Sequence, residues 1–259
     1  MSETPTIVGS SPSVRRRFAA LRRIAIVPAF NEERAVAGVI DELRAFDPGL
    51  EIVVVDDGSA DRTAAVAAGK GVRVLRLPFN LGIGGAVQTG FRFAFERGYD
   101  LALRVDGDGQ HDPSQLARLL EPVLAGDADI AVGSRFAAED AGYRSSRARR
   151  VGIRLLAQVV SRIVGQRVTD TTSGFQVLNR QGIALFARDY PHDYPEVEAT
   201  VMVFRHRLRL AEVPVTMRER DGGRSSITTL RSIYYMVKVL LAIFVGLFRR
   251  NVVPQEDAR

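Results

Sequence analysis

The chain has 259 residues, enough for one large domain with its own core or for one domain with appendages. Apolar residues make up 46% and charged residues 25%, the balance of an ordinary folded protein, and the absence of cysteine excludes a disulfide framework, a thiolate metal site and a cysteine nucleophile. The formal charge of +6 comes from arginine, since Lys70 and Lys238 are the only lysines. Guanidinium forks suit phosphate, so nucleotides, lipid phosphates and anionic membranes are all admitted as partners.

Residues 1–23 are small and polar at first and then carry Arg15, Arg16, Arg17, Arg22 and Arg23. The strand after them is too short for a signal core, so this stretch reads as a basic tail, either solvated or touching a membrane. Ile24–Val27, Ile52–Val55, Val72–Leu75, Leu101–Val105 and Ile130–Val132 read as strands. They are largely apolar rather than strictly alternating, as expected where a mostly parallel sheet is covered on both faces. Between them, helical spacing is kept by Ala35, Val36, Val39, Ile40 and Leu43, by Ala86, Phe91 and Phe95, and by Leu116, Leu119, Leu120 and Val123. Strand and helix in alternation predict an α/β fold, Rossmann-like, with ligands bound beyond the carboxyl ends of the strands. Further on, residues 140–150 read as an arginine-rich loop entering a helix over Val151–Val164, and Leu210–Thr216 as a late strand.

The C-terminal stretch differs in kind. Ile233–Phe248 is sixteen residues with one lysine, bracketed by Arg231 and by Arg249 and Arg250. A span needs about twenty apolar residues, so an interfacial helix with arginines at headgroup level fits. A short tilted span, or a helix that completes a core or a dimer, is the alternative.

Four strand ends carry chemistry. The first is Pro28-Ala29-Phe30-Asn31-Glu32-Glu33, where Asn31 has the look of a helix N-cap. The second is Asp56-Asp57-Gly58-Ser59, in which carboxylates can accept from a base N–H or a ribose hydroxyl while Ser59 or Asp61 caps the next helix. The third is Asn80-Leu81-Gly82-Ile83-Gly84-Gly85-Ala86. It is neither a dinucleotide fingerprint, because Val87 stands where glycine is needed, nor a Walker loop, and it reads as close helix–sheet packing with helix amides near a phosphate. The fourth, Asp106-Gly107-Asp108-Gly109-Gln110-His111-Asp112-Pro113, comes directly after a strand. Two carboxylates one residue apart can converge on a hard divalent cation that shares its shell with substrate phosphates. Asp and Gly are also plain turn formers, and the EF-hand pattern fails because Ala117 stands where its bidentate Glu would be.

Together VPAFNEE, VVDDGS, NLGIGGA, DGDGQHDP and VGSRF resemble, in order and spacing, family 2 glycosyltransferases of the GT-A fold. DTTSGFQVLNR (170–180), EVPV (212–215) and RERDGGRSSI (218–227) are similar to the polyprenyl-phosphate branch, which includes dolichol-phosphate-mannose synthases. The resemblance implies a nucleotide pocket at Pro28, Phe30, Glu32 and Asp57, and a metal pair at Asp106 and Asp108 with Gln110 beside it, Mg²⁺ or Mn²⁺ being the cofactor. It implies donor contacts at Gly107, Arg135 and Arg220, and catalytic roles for Asp108 and Asp106; the sequence offers Asp170 as a third catalytic residue, to orient acceptor or sugar. One departure is that Gly223-Arg224-Ser225-Ser226 replaces the Gly-x-Ser-Lys usual in mannose synthases, which puts mannose as the donor sugar in doubt.

The expected activity is metal-dependent, inverting transfer from a UDP-, GDP- or dTDP-sugar to a polyprenyl phosphate at the cytoplasmic face of the cell membrane. Arg144, Arg147, Arg149 and Arg150 are the candidates for binding the lipid phosphate. The domains would be the tail at 1–23, the catalytic domain at 24–217 and a membrane-associated segment at 218–259, with a small membrane-protein partner or a homo-oligomer completing the anchor and no nucleic acid involved. A soluble-glycan acceptor and a non-catalytic membrane scaffold are the rival readings.

Overall fold

The computed structural model describes residues 18–137, 147–192 and 195–218, with only the backbone for 147–155. Seven strands form one sheet: β1 (Arg23–Ala29), β2 (Glu51–Asp56), β3 (Arg73–Arg76), β4 (Leu101–Arg104), β5 (Ile130–Ser134), β6 (Gln176–Asn179) and β7 (Leu210–Pro214). Their spatial order is β3-β2-β1-β4-β6-β5-β7. Six strands point the same way, and only β6 runs against its neighbours β4 and β5. The sequence does not announce β6, because Gln176-Val177-Leu178-Asn179 is short and half polar.

The helices are α1 (Val36–Phe46), α2 (Thr63–Gly69), α3 (Gly82–Glu96), α4 (Leu116–Ala125), α5 (Arg147–Val164), α6 (Arg180–Arg188) and α7 (Pro195–Arg205). Alternation along β1 explains its unbroken apolar run. Ala25 and Val27 join a core with Val39, Ile40 and Leu43 of α1 and Leu119 and Leu120 of α4. Ile24 and Ile26 join the opposite core, with Phe91 of α3, Phe186 of α6 and Val203 of α7. Both faces of the strand are therefore buried, and a period of two leaves no polar side.

Close packing at two points sets the positions of α3 and α6. Helix α3 lies directly on β1: a Cβ added at Gly90 would overlap Ile26 Cγ2, and one at Gly84 would overlap the backbone of Pro191 and His192. Asn179 ends β6 and caps α6, its Oδ1 accepting from the N–H groups of Gln181 and Gly182. Helix α5 begins at Arg147, so the loop expected over 140–150 gives way to helix four residues before Val151. Periodicity announces neither α6 nor α7.

Candidate active site

A cleft of about 320 Å³ opens at the carboxyl ends of β1, β2 and β4. Its lining includes Pro28, Phe30, Glu32, Asp57, Asp106, Gly107 and Asp108, so seven residues singled out in the sequence converge there. The glycine-rich stretch adds Asn80, Gly82, Ile83 and Ala86 to the wall at the start of α3.

The loops after β1 and β2 are laced together by backbone-to-side-chain bonds. Asn31 is not a helix cap, since α1 begins after Ala35 without a side-chain cap. Instead Asn31 adopts φ 57°, its N–H donates to Ser59 Oγ at 2.9 Å, and its Oδ1 accepts from Ala60 N–H at 2.9 Å. Glu32 N–H donates to Thr63 Oγ1 at 2.8 Å. Neither Ser59 nor Asp61 is the N-cap of α2, which is Arg62 without a side-chain cap bond; Asp61 Oδ1, one residue earlier, accepts from Thr63 N–H at 2.9 Å, and Ser59 serves the Asn31 loop.

Asp57 joins the β2 end to the glycine-rich turn, where Leu81 N–H donates to its Oδ1 at 2.7 Å. Burial raises its carboxyl pKa, and the N–H groups of Leu81 and Gly82 only partly offset that. Gly58 makes this junction possible. It sits at φ +70°, and a Cβ there would lie 2.7 Å from Phe79 C and 2.8 Å from Asn80 N.

The Asp106–Asp108 turn is held from three sides. Gly107 N–H donates to Pro28 O at 3.0 Å, and a Cβ on Gly107 would press on Ala29 Cβ at 3.0 Å. Asp106 N–H donates to His111 Nδ1 at 3.0 Å, and the His111 ring stacks on Phe175 with centroids 4.8 Å apart. Burial depresses the His111 pKa, and Nδ1, as the acceptor from Asp106 N–H, carries no proton. Gln110 does not line the cleft; its N–H donates to Asp108 Oδ1 at 3.1 Å and its carbonyl accepts from Arg218 N–H at 2.9 Å. Arg218 also reaches Glu42 at 2.8 Å and Asp112 at 3.2 Å, which draws the chain after β7 back to this turn.

Among the described residues no group of three or more His, Cys, Asp or Glu is arranged as a metal cage. The donor set is two carboxylates lining an open cleft. That set suits Mg²⁺ or Mn²⁺, which complete their shells with substrate phosphate and water.

Behind Asp106 lies a feature with no local signal in the sequence. The Arg104 side chain is 1% exposed, and its guanidinium reaches three partners. Nε donates to Asp106 Oδ1 at 3.3 Å, Nη1 to Tyr190 Oη at 2.9 Å, and Nη2 to Glu196 Oε1 at 2.9 Å. Burial opposes the Arg104 charge, but its acidic neighbours Tyr190, Asp106 and Glu196 outweigh burial and raise its pKa; burial likewise raises the Tyr190 phenol. Gly174 completes the cradle, since a Cβ there would lie 2.7 Å from both Arg104 Nη2 and Asp106 Oδ2.

The resemblance places Arg135 at the donor phosphates and the sequence offers Asp170 to orient the acceptor or the sugar, yet the two close on each other. Arg135 Nε donates to Asp170 Oδ2 at 2.7 Å and Nη2 to Oδ1 at 2.9 Å, and Asp170 is 2% exposed. Burial would raise the Asp170 carboxyl, but these bonds to Arg135 hold it below its ordinary value, and neither residue lines the cleft. A buried carboxylate so engaged is suited to shaping the loop rather than to orienting a ligand. Glu212 of β7 supports the same loop by accepting from Thr169 N–H and Asp170 N–H, which gives the EVPV stretch a structural role. Burial raises the Glu212 pKa.

Arg147, Arg149 and Arg150 belong to the opening turns of α5, where only the backbone is described. Arg144, Arg220 and the run Ile233–Phe248 lie outside the described residues.

Comparison with known proteins agrees with this architecture. The glycosyl transferase family 2 model matches residues 24–186. A polyprenol monophosphomannose synthase of Mycolicibacterium smegmatis is 32% identical over 80% of this chain and 81% of its own. An undecaprenyl-phosphate mannosyltransferase of Micrococcus luteus is also 32% identical, over 80% of this chain and 88% of its own. A glucosyl-3-phosphoglycerate synthase of Mycobacterium tuberculosis, solved with Mn²⁺ and UDP-glucose, superposes with a TM-score of 0.71. It is 21% identical and covers 92% of this chain and 84% of that one, which shows the shared GT-A-like fold. With the match spanning β1 to α6 and the relatives covering most of the chain, the protein belongs to glycosyl transferase family 2 and is a glycosyltransferase.

Proposed function

We propose that the protein transfers a sugar from a nucleotide-sugar to a polyprenyl phosphate at the cytoplasmic face of a membrane, with inversion at the anomeric carbon. The observation that carries this reading is one cleft lined at once by Phe30 and Asp57, suited to a nucleoside, and by Asp106 and Asp108, suited to a diphosphate with its cation. The two mannosyltransferase relatives support the lipid-phosphate acceptor by their names.

In this reading Phe30 and Pro28 pack against the base, while Asp57 and Glu32 accept from base N–H or ribose hydroxyl groups. Gly107, lacking a side chain, lets the donor approach the turn backbone. A phosphate oxygen of the lipid attacks the anomeric carbon as the bond to the nucleoside diphosphate breaks, and the electron pair leaves on the diphosphate. Bound Mg²⁺ or Mn²⁺ would supply charge neutralisation for that leaving group. The acceptor is a phosphate monoester with a second pKa of about 6, so it is largely dianionic at neutral pH and needs no strong general base. Arg220 is assigned to the donor phosphates, and Arg144, Arg147, Arg149 and Arg150 to the acceptor phosphate. Asp170 is assigned to holding Arg135 and the loop over Asp106.

No helix among the described residues is long and apolar enough to cross a membrane. Residues 218–259 are proposed as the membrane-associated segment, joined by a small membrane protein or a second copy, with 24–217 as the catalytic domain. The test is transfer of label from a panel of nucleotide-sugars into the organic phase with Mn²⁺ or Mg²⁺ and polyprenyl phosphate. The expected result is transfer of one sugar, abolished by chelator and by Asp108→Asn. Label that stays in water-soluble product would refute the lipid acceptor.

A further inference from the structure

We infer that Arg104 is a positioning residue for the transfer reaction, holding the Asp106 carboxylate in place by tying it to Tyr190 and Glu196 behind the cleft. The inference rests on the functional reading above and goes beyond it, since Arg104 touches neither donor nor acceptor in that scheme and does not line the cleft.

A side chain two residues after another on an extended backbone points to the same face, so Arg104 and Asp106 emerge together from the end of β4. One carboxylate oxygen on a short side chain can rotate about two torsions. The guanidinium removes that freedom, because it is itself fixed by Tyr190 at 2.9 Å and Glu196 at 2.9 Å. Those two anchors come from elsewhere in the chain, Tyr190 just after α6 and Glu196 in the first turn of α7. The fork therefore couples the cleft carboxylate to two elements that never reach the cleft. Gly174 leaves the cradle its only workable width, and the Asp106 N–H bond to His111 fixes the backbone below it. An isolated buried arginine would be costly; one placed to bond two carboxylates and a phenol is stable, and it sets where one of those carboxylates sits.

Charge and geometry make opposite demands here, which makes the idea testable. Arg104 is a cation near a proposed cation site, so deleting its charge would by Coulomb's law favour Mn²⁺ even as Asp106 loosened. Arg104→Lys keeps the charge and destroys the three-way fork, which isolates positioning. The experiment titrates Mn²⁺ with UDP (or GDP, if the wild-type protein selects it) by electron paramagnetic resonance, and separately measures kcat and both KM values. Because displacing a catalytic group by an ångström costs up to about a hundredfold, Arg104→Lys should bind Mn²⁺ with nucleotide about tenfold more weakly and lower kcat at least about tenfold, with the KM for polyprenyl phosphate nearly unchanged. Arg209→Gln, which breaks the ion pair to Asp129 at the amino ends of β5 and β7, away from the cleft, should lower thermal stability without moving either readout. Full activity and unaltered Mn²⁺ binding in Arg104→Lys would show that charge or core packing alone is at work and overturn the inference. If that variant does not fold, Tyr190→Phe removes one anchor at no change in charge. A drop of about threefold or more in Mn²⁺ binding and kcat then supports the inference, and no drop overturns it. A wild-type protein that binds no Mn²⁺ with any nucleotide fails the functional reading instead, and this one with it.

Discussion

Gly174 sits against Asp106 so closely that a Cβ on it would lie 2.7 Å from the Asp106 Oδ2 oxygen. Two segments far apart in the chain meet there with room for a hydrogen and nothing more. Gly174→Ala should therefore push Asp106 and Arg104 apart, lowering transfer about tenfold to a hundredfold and stability by about 1–3 kcal/mol. Steady-state kinetics beside a urea melt reads both; an alanine variant within twofold of wild type would mean the contact is slack.

Phe30 is a large apolar side chain left 46% exposed at the cleft. If it stacks on the donor base, Phe30→Ala should raise the donor KM about tenfold, since stacking on an aromatic side chain is worth about 1–3 kcal/mol per base. The melting temperature should hardly move, because little buried surface is lost.

Asp170 supplies a pH dependence of stability. Its folded carboxyl titrates below the ordinary value of 3.8, held there against burial by Arg135. A carboxylate depressed in the folded state stabilises the protein at neutral pH, and that contribution is lost as pH falls through 3.8 towards the folded value. Asp170→Asn should be about 3 kcal/mol less stable at neutral pH, and its stability should fall less steeply than wild type between about pH 5 and pH 3. Parallel pH curves from chemical denaturation would contradict this assignment.

Gly90 tests packing alone. A methyl group there meets Ile26 under α3, so Gly90→Ala should cost about 1–3 kcal/mol by overpacking, with donor and acceptor KM values preserved. Circular dichroism melts with parallel kinetics separate the two effects.

Strands β1, β2, β4 and β5 are legible in the sequence because each is buried on both faces, and the chain must write that as an apolar run. Local spacing likewise exposes Asp57 at the end of β2, and Asp106 and Asp108 after β4. The features that escape have no local signature. Strand β6 is four residues long with polar Gln176 and Asn179 at its ends, and only its pairing with β4 and β5 on both sides reveals it. Asn31 resembles a cap in sequence, but its positive φ and its bonds to Ser59 and Ala60 depend on a loop almost thirty residues away. The Arg104 fork joins residues separated by 86 and 92 positions, a distance at which periodicity carries no information. Arg135 and Asp170 both stand out in the sequence, but only their pairing in space shows that each satisfies the other.

The reversed strand has a consequence for how the protein is made. Strand β6 lies between β4 and β5, yet comes after both in the chain. A nascent polypeptide that has delivered β4 and β5 therefore carries two open ladders facing a gap, and neither can close until residues 176–179 emerge. Open strand edges are templates for pairing between molecules. Fragments that stop short of β6 should precipitate even though they contain the whole aspartate turn, and β6 is the clasp that turns two halves of a sheet into one.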